Sequence, residues 1–166
     1  MNSGFKKCGS RPGFSLIELV IVVVIIGILA AIAIPRLSRG SAGATDAALS
    51  GDLAVIRKAI DLYAVEHNGS YPAFATVSNQ LTLFSDIAGT TSATRTATCI
   101  YGPYLRAIPA LKVGPTATRT ATVADATSAT IGAGTAGWFY NATTGDIKAN
   151  LANAQVDVSG TQYNAY

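Results

Sequence analysis

A single carboxylate, Glu18, stands inside an apolar run long enough to cross a lipid bilayer, and this constrains the chain more than any other feature. Phe14 to Ile34 is 21 residues, interrupted only by Ser15 and Glu18. At about 1.5 Å of rise per residue a helix of that length reaches roughly 30 Å, the thickness of a hydrocarbon core. An acid within a spanning helix costs on the order of 3 kcal/mol at the bilayer centre and less toward the edge, so its presence calls for a function and a partner. The preceding residues offer one. A cut between Gly13 and Phe14 would create an amino group four residues ahead of Glu18. That is one turn away on the same helix face, at the end where the helix dipole favours an anion.

The stretch Gly13-Phe14-Ser15-Leu16-Ile17-Glu18-Leu19, with Lys6, Lys7 and Arg11 before it and the apolar run after it, resembles the prepilin leader and junction of type IV pilins and pseudopilins. The resemblance implies that a membrane-embedded prepilin peptidase cuts after Gly13 and methylates the amine of Phe14. It also implies that Glu18 sets subunit register against a neighbour's amino terminus as the chain polymerises with copies of itself. Gly27 and Pro35 match places where helices of this superfamily carry Gly and Pro and can loosen on assembly. An uncleaved signal anchor or a secretory signal peptide is the plainer alternative. A secretory leader, however, has an apolar core of about 7 to 15 residues followed by a small-residue cleavage site. This run is longer and ends at Pro35-Arg36. Taken alone, Glu18 could instead snorkel toward the headgroups or sit protonated in place.

Charge gives weak topology. Lys6, Lys7 and Arg11 precede the span, but Arg36, Arg39, Arg57 and Lys58 follow it, so the positive-inside rule favours a cytoplasmic leader only slightly. It is the resemblance that implies a single-pass inner-membrane protein with its N-terminus cytoplasmic and its head periplasmic. The net charge of +3 misleads, because residues 1–13 hold three of the twelve Lys and Arg and none of the nine acids. A mature chain balanced in this way has no electrostatic footprint for nucleic acid. Of the two cysteines, Cys8 lies in the leader, leaving Cys99 alone after cleavage and expected as a small buried hydrophobe. Many type IVa pilins close a disulfide loop that a lone cysteine cannot form, which tilts the resemblance toward a pseudopilin.

Beyond Pro35, Leu49, Leu53, Ile56, Ile60 and Tyr63 recur at steps of four and three, the mark of an amphipathic helix. Asp46, Asp52, Arg57, Lys58, Asp61 and Glu66 fall largely off that face. Pro35, Gly40 and Gly43 make the join between the two helical halves the place to expect bending or melting. The helix is expected to end near His67, as a cap or surface residue, with Asn68-Gly69 supplying the left-handed conformation of a C-cap. Asn68-Gly69-Ser70-Tyr71-Pro72 resembles the segment that follows the long helix in major pseudopilins of type II secretion.

Ser78 to Ile87 is expected as a short helix. The tracts Gly89 to Thr98 and Pro115 to Thr135, each with one Ala-Thr-Arg-Thr-Ala-Thr hexamer, are expected as surface loops that could supply an edge strand. Tyr101 to Pro109 has the aromatics and prolines of an ordered loop packed on the core. Trp138 to Asn150 predicts a β-hairpin with Trp138, Tyr140 and Ile147 facing inward, and resembles the hairpin of pseudopilin-like proteins.

Major pseudopilins often bind calcium through clustered carboxylates, but after Asp125 only Asp146 and Asp157 remain, so no calcium site or other cofactor is expected. One His, two Glu and no nucleophile paired with a base at recognisable spacing argue against an enzyme. The expected organisation is a leader over 1–13, a transmembrane and filament-core helix over 14–35, its amphipathic continuation over 36–67, and a small head over 68–166. The fold class is α+β and pilin-like, a long bent N-terminal helix on a small C-terminal antiparallel sheet. The expected role is a structural subunit of a type II secretion pseudopilus, with prepilin peptidase, an inner-membrane assembly platform and minor pseudopilins as partners. A type IV pilus subunit serving adhesion, motility or DNA uptake is one alternative. A membrane-anchored binding module that never polymerises is the other.

Overall fold

The computed structural model describes residues 13–166; the leader residues 1–12, and the side chains of Pro35, Leu37, Ser38 and Arg39, lie outside the described residues. The chain divides into two compact units between Gly40 and Ser41. One helix, α1 (Leu16–Glu66), contributes to both. The join from Pro35 to Gly43 is not melted. Helical backbone runs through it, although Pro35 has no N–H to give the turn before it.

In the first unit no described residue of the apolar helix is buried. Leu16–Ile34 has a mean hydropathy of 3.2 and no buried residue, long and apolar enough to span a membrane by length and composition. The second unit is built on the stripe of α1 that the sequence periodicity marks: Leu49, Leu53, Ile56, Ile60 and Tyr63 are all buried. The helix stops where expected. Asn68 and Gly69 both take positive φ, and the Gly69 amide turns back to the Ala64 carbonyl at 2.7 Å.

His67 is buried rather than superficial, with 2 % exposure. Its Nδ1 lies 2.8 Å from the Tyr63 carbonyl oxygen and its Nε2 3.1 Å from the Ser85 hydroxyl, while its ring stacks on Tyr63 at 3.7 Å. With both ring nitrogens partnered, burial carries little penalty.

A short helix, α2 (Val77–Thr82), follows as expected, then a two-stranded antiparallel ribbon of β1 (Phe84–Ser85) and β2 (Thr91–Ser92). The main sheet has three strands, β3 (Val123–Asp125), β4 (Trp138–Tyr140) and β5 (Ile147–Ala149), in the order β3-β4-β5. The expected hairpin is β4 with β5, antiparallel, pairing Trp138 with Ala149 and Tyr140 with Ile147. Trp138, Tyr140 and Ile147 are all buried.

The sheet is mixed, however, not wholly antiparallel. The second Thr-rich tract supplies β3 as an edge strand parallel to β4. A parallel pair needs a long crossover in place of a tight turn, and Ala126 to Gly137 provides it. Asn150, fully buried, secures that crossover: its Nδ2 donates to the carbonyls of Ala133 and Ala136, both at 3.0 Å, and its Oδ1 accepts from the Gly132 amide at 2.7 Å.

The core closes over the helix with its polar ends satisfied. Trp138 Nε1 donates to the Pro109 carbonyl at 2.7 Å, and the Tyr140 hydroxyl donates to the Pro72 carbonyl at 2.9 Å. Gly137 is required here, because a Cβ would stand 2.1 Å from the Thr120 carbonyl oxygen. Asp46, placed off the apolar face by its chemistry, is also buried. It accepts the Val158 amide at 3.0 Å and the Tyr163 hydroxyl at 2.8 Å, tying the helix to the C-terminal segment.

Candidate assembly site at the helix start

Gly13 and Phe14 precede the first helical turn, and both are exposed, Phe14 to 88 %. Nothing lies within 4 Å of where a Cβ on Gly13 would stand. Ser15 is the residue before the helix, and the Glu18 carboxylate reaches back to accept its backbone amide at 2.9 Å. That bond is half of a capping box, Ser-x-x-Glu, and satisfies an amide that the helix leaves without a partner. The spacing of Ser15 and Glu18 carries this pattern in the sequence.

Phe14, Glu18, Leu19, Val22 and Val23 border one shallow, almost wholly apolar groove. Phe14 and Glu18 therefore share a face, as four-residue spacing requires. The carboxylate already sits one residue from the atom that would become an amine on cleavage. Downstream, every large apolar side chain from Leu16 to Ile34 is exposed. At Gly27 no atom of the chain lies within 4 Å of a would-be Cβ, so nothing inside the subunit demands glycine there. The backbone at Pro35 is helical, while its side chain is outside the described residues.

The head offers no competing chemistry among the described residues. No three His, Cys, Asp or Glu side chains gather as a metal site would need. Cys99 is a free, buried thiol lying 3.6 Å from the Thr90 carbonyl oxygen, not an exposed nucleophile. Asp86, Asp125 and Asp157 each lie below the usual carboxylate range, the first two chiefly through backbone amides of their own turns and Asp157 chiefly through the Tyr166 hydroxyl. These acids organise loops.

No curated protein and no solved structure matches this chain. Residues 10–34 match the family model of the prokaryotic N-terminal methylation motif, the segment in which the exposed junction, the back-bonded Glu18 and the unpartnered apolar helix have been described. The chain thus carries the N-terminal motif of type IV pilin-like structural subunits on an α+β fold.

Proposed function

We propose that the chain is a pseudopilin of type II secretion. It is held in the inner membrane by residues 14–35 with its N-terminus cytoplasmic and its head periplasmic. Prepilin peptidase cuts after Gly13 and methylates Phe14. The subunit then polymerises with copies of itself, with minor pseudopilins and on an inner-membrane platform, into a filament that drives protein export. The observation that carries this reading is the junction: an exposed Gly13-Phe14 step with Glu18 one turn into an apolar helix that nothing in the subunit covers.

The chemistry follows from that geometry. Bilayer lipid covers the apolar stretch before assembly, and neighbouring subunits cover it afterwards, so the same side chains suit both environments. Glu18 would then neutralise the methylated amine of an incoming subunit, where an unpaired buried charge would cost about 3 to 5 kcal/mol. Gly27 leaves room for close approach by a neighbour or for loosening of the helix. The outer face of α1 in the head keeps Val55, Leu62 and Val65 exposed, apolar surface suited to further subunit contacts. No metal or cofactor enters this role.

Secretion is favoured over a surface pilus by Cys99, which stands free with no disulfide loop to close, and by the Asn68-Gly69 exit and Tyr71-Pro72 that follow α1. Two measurements test the reading. Mass spectrometry of native protein should find a chain starting at Phe14 with one methyl group on its amine, and filament preparations should contain it. A Met1 start in cells that have the peptidase, or persistent monomers, would overturn the filament reading. Deleting the gene should abolish export and leave surface pili intact; the reverse result would assign the chain to a type IV pilus.

A further inference from the structure

Two tripeptides fit the Asn-x-Ser/Thr pattern of N-glycan acceptors, Asn68-Gly69-Ser70 and Asn141-Ala142-Thr143. The pattern alone is common, and the structure separates the two. Asn141 is half-buried, and its Oδ1 accepts the amides of Thr143 at 2.9 Å and Thr144 at 3.3 Å, so its side-chain amide is committed to the turn between β4 and β5. Asn68 is exposed in the turn that ends α1, as are Gly69 and Ser70. Neither the Asn68 amide nor the Ser70 hydroxyl makes a hydrogen bond among the described residues. The middle position is open, since nothing lies within 4 Å of a would-be Cβ on Gly69. The backbone nevertheless holds its shape: the Gly69 amide is bonded to the Ala64 carbonyl at 2.7 Å and the Ser70 amide to the His67 carbonyl at 3.0 Å. The acceptor amide and the hydroxyl two residues on are therefore both exposed on a turn that backbone hydrogen bonds hold. Glu66, two residues ahead and exposed, accepts the Tyr104 hydroxyl at 2.5 Å, a contact that further fixes the end of α1 beside the turn.

We infer that Asn68 is the acceptor of an N-linked oligosaccharide, added on the periplasmic side; the inference rests on the membrane orientation proposed above. The donor class is an oligosaccharide joined through C1 of its first sugar to a polyprenyl diphosphate. Asn68 Nδ2 forms the new bond to that C1 as the C1–O bond to the diphosphate breaks. The polyprenyl diphosphate leaves with the bonding electron pair, and the amide gives up one proton to a base of the transferase. A bulky polar group at this position covers the exposed end of α1 without touching the core.

The test uses full-length protein from its own cells, digested with trypsin. Asn68 falls in the peptide from Ala59 to Arg95 and Asn141 in a separate one from Thr120 to Lys148. The expected result is a 59–95 peptide heavier by a whole number of sugar residues, with fragmentation placing the added mass on Asn68. Ser70→Ala should abolish the addition and Ser70→Thr should keep it; Ser70 is exposed, so neither variant threatens folding. An unmodified 59–95 peptide from the wild type, added mass that survives Ser70→Ala, or a glycan on Asn141 in place of Asn68 overturns the inference. The amino-terminal peptide of the same digest reports processing independently. A Phe14 start with bare Asn68 rejects the glycan alone, whereas a Met1 start with bare Asn68 rejects the filament reading as well.

Discussion

Asp46 should be among the costliest polar side chains of the head to remove. It is 7 % exposed and accepts two hydrogen bonds from the C-terminal segment, from the Tyr163 hydroxyl at 2.8 Å and the Val158 amide at 3.0 Å. Among the described residues the one ion pair is Lys112 with Asp52, so no cation compensates Asp46. Hydrogen bonds to a charged group contribute about 1.5 to 3 kcal/mol each. Asp46→Ala removes both and leaves two donors behind, but water can reach the half-exposed Tyr163, so the net loss should be about 3 kcal/mol. Asp46→Asn can keep both contacts, its Oδ1 accepting the Val158 amide and its Nδ2 donating to the Tyr163 hydroxyl oxygen, but it loses the charge that strengthens them, at a cost of about 1 to 2 kcal/mol. Tyr163→Phe loses one bond to the carboxylate and keeps the ring, costing about 1.5 kcal/mol, the low end of the range for a bond to a charged group, because Tyr163 is half-exposed. The two residues should couple by about 1 kcal/mol in the Asp46→Asn, Tyr163→Phe double-mutant cycle. Urea denaturation of a fragment beginning at Ser41, the start of the second unit, measures wild type and all four variants. An Asp46→Ala head within about 0.5 kcal/mol of wild type, the range of ordinary surface substitutions, would refute the tie.

Glu18→Leu should raise the amount of subunit in the membrane, because the only acid of the span is gone, and leave cleavage after Gly13 largely intact while filaments fail. Normal filament numbers from that variant would show that Glu18 does not carry the register. Alkaline pH should weaken the head. Tyr163 is pushed up to about 12 by burial first and then by its bond to Asp46, and burial also raises Tyr104 and Tyr140. A tyrosine raised in the folded state contributes stability that is intact below the ordinary value of 10.0 and is lost as pH climbs through its folded value. Denaturation midpoints that stay flat from pH 10 to 12 would contradict this. Millimolar calcium should move the melting temperature of the head by less than about 5 °C, on the order of 1 kcal/mol for a domain of this size. A larger rise would reveal a site built from backbone carbonyls.

The parts of this fold that sequence pattern discloses are those whose causes are local. The buried stripe from Leu49 to Tyr63 follows from helical periodicity, the stop at Asn68-Gly69 from left-handed geometry, and the inward Trp138, Tyr140 and Ile147 from strand alternation. Asp46 and His67 were misplaced because their partners are distant in sequence. Val158 and Tyr163 lie 112 and 117 residues beyond Asp46, and Ser85 lies 18 beyond His67. Nothing in the neighbourhood of a carboxylate or an imidazole announces such partners. The parallel strand Val123–Asp125 was hidden for a related reason, since its pairing depends on a crossover held by Asn150, whose composition alone suggests a loop. At the candidate site the balance reverses. Gly13, Phe14 and Glu18 stand within six consecutive residues, so their relation is legible from spacing, as is the Ser-x-x-Glu pattern behind the bond from Ser15 to Glu18.

The point at which α1 begins bears on the peptidase as much as on the filament. A peptide bond wound into a helix has its carbonyl and amide committed to partners four residues away, and an enzyme must unwind that turn before it can polarise the carbonyl or reach the nitrogen. The bond between Gly13 and Phe14 lies ahead of Leu16, with Ser15 held by Glu18 as the boundary. Among the described residues, a Cβ placed on Gly13 would meet nothing within 4 Å. If the proposed peptidase cuts between Gly13 and Phe14, the scissile bond already lies outside the helix, so recognition need not be slowed by melting its first turn.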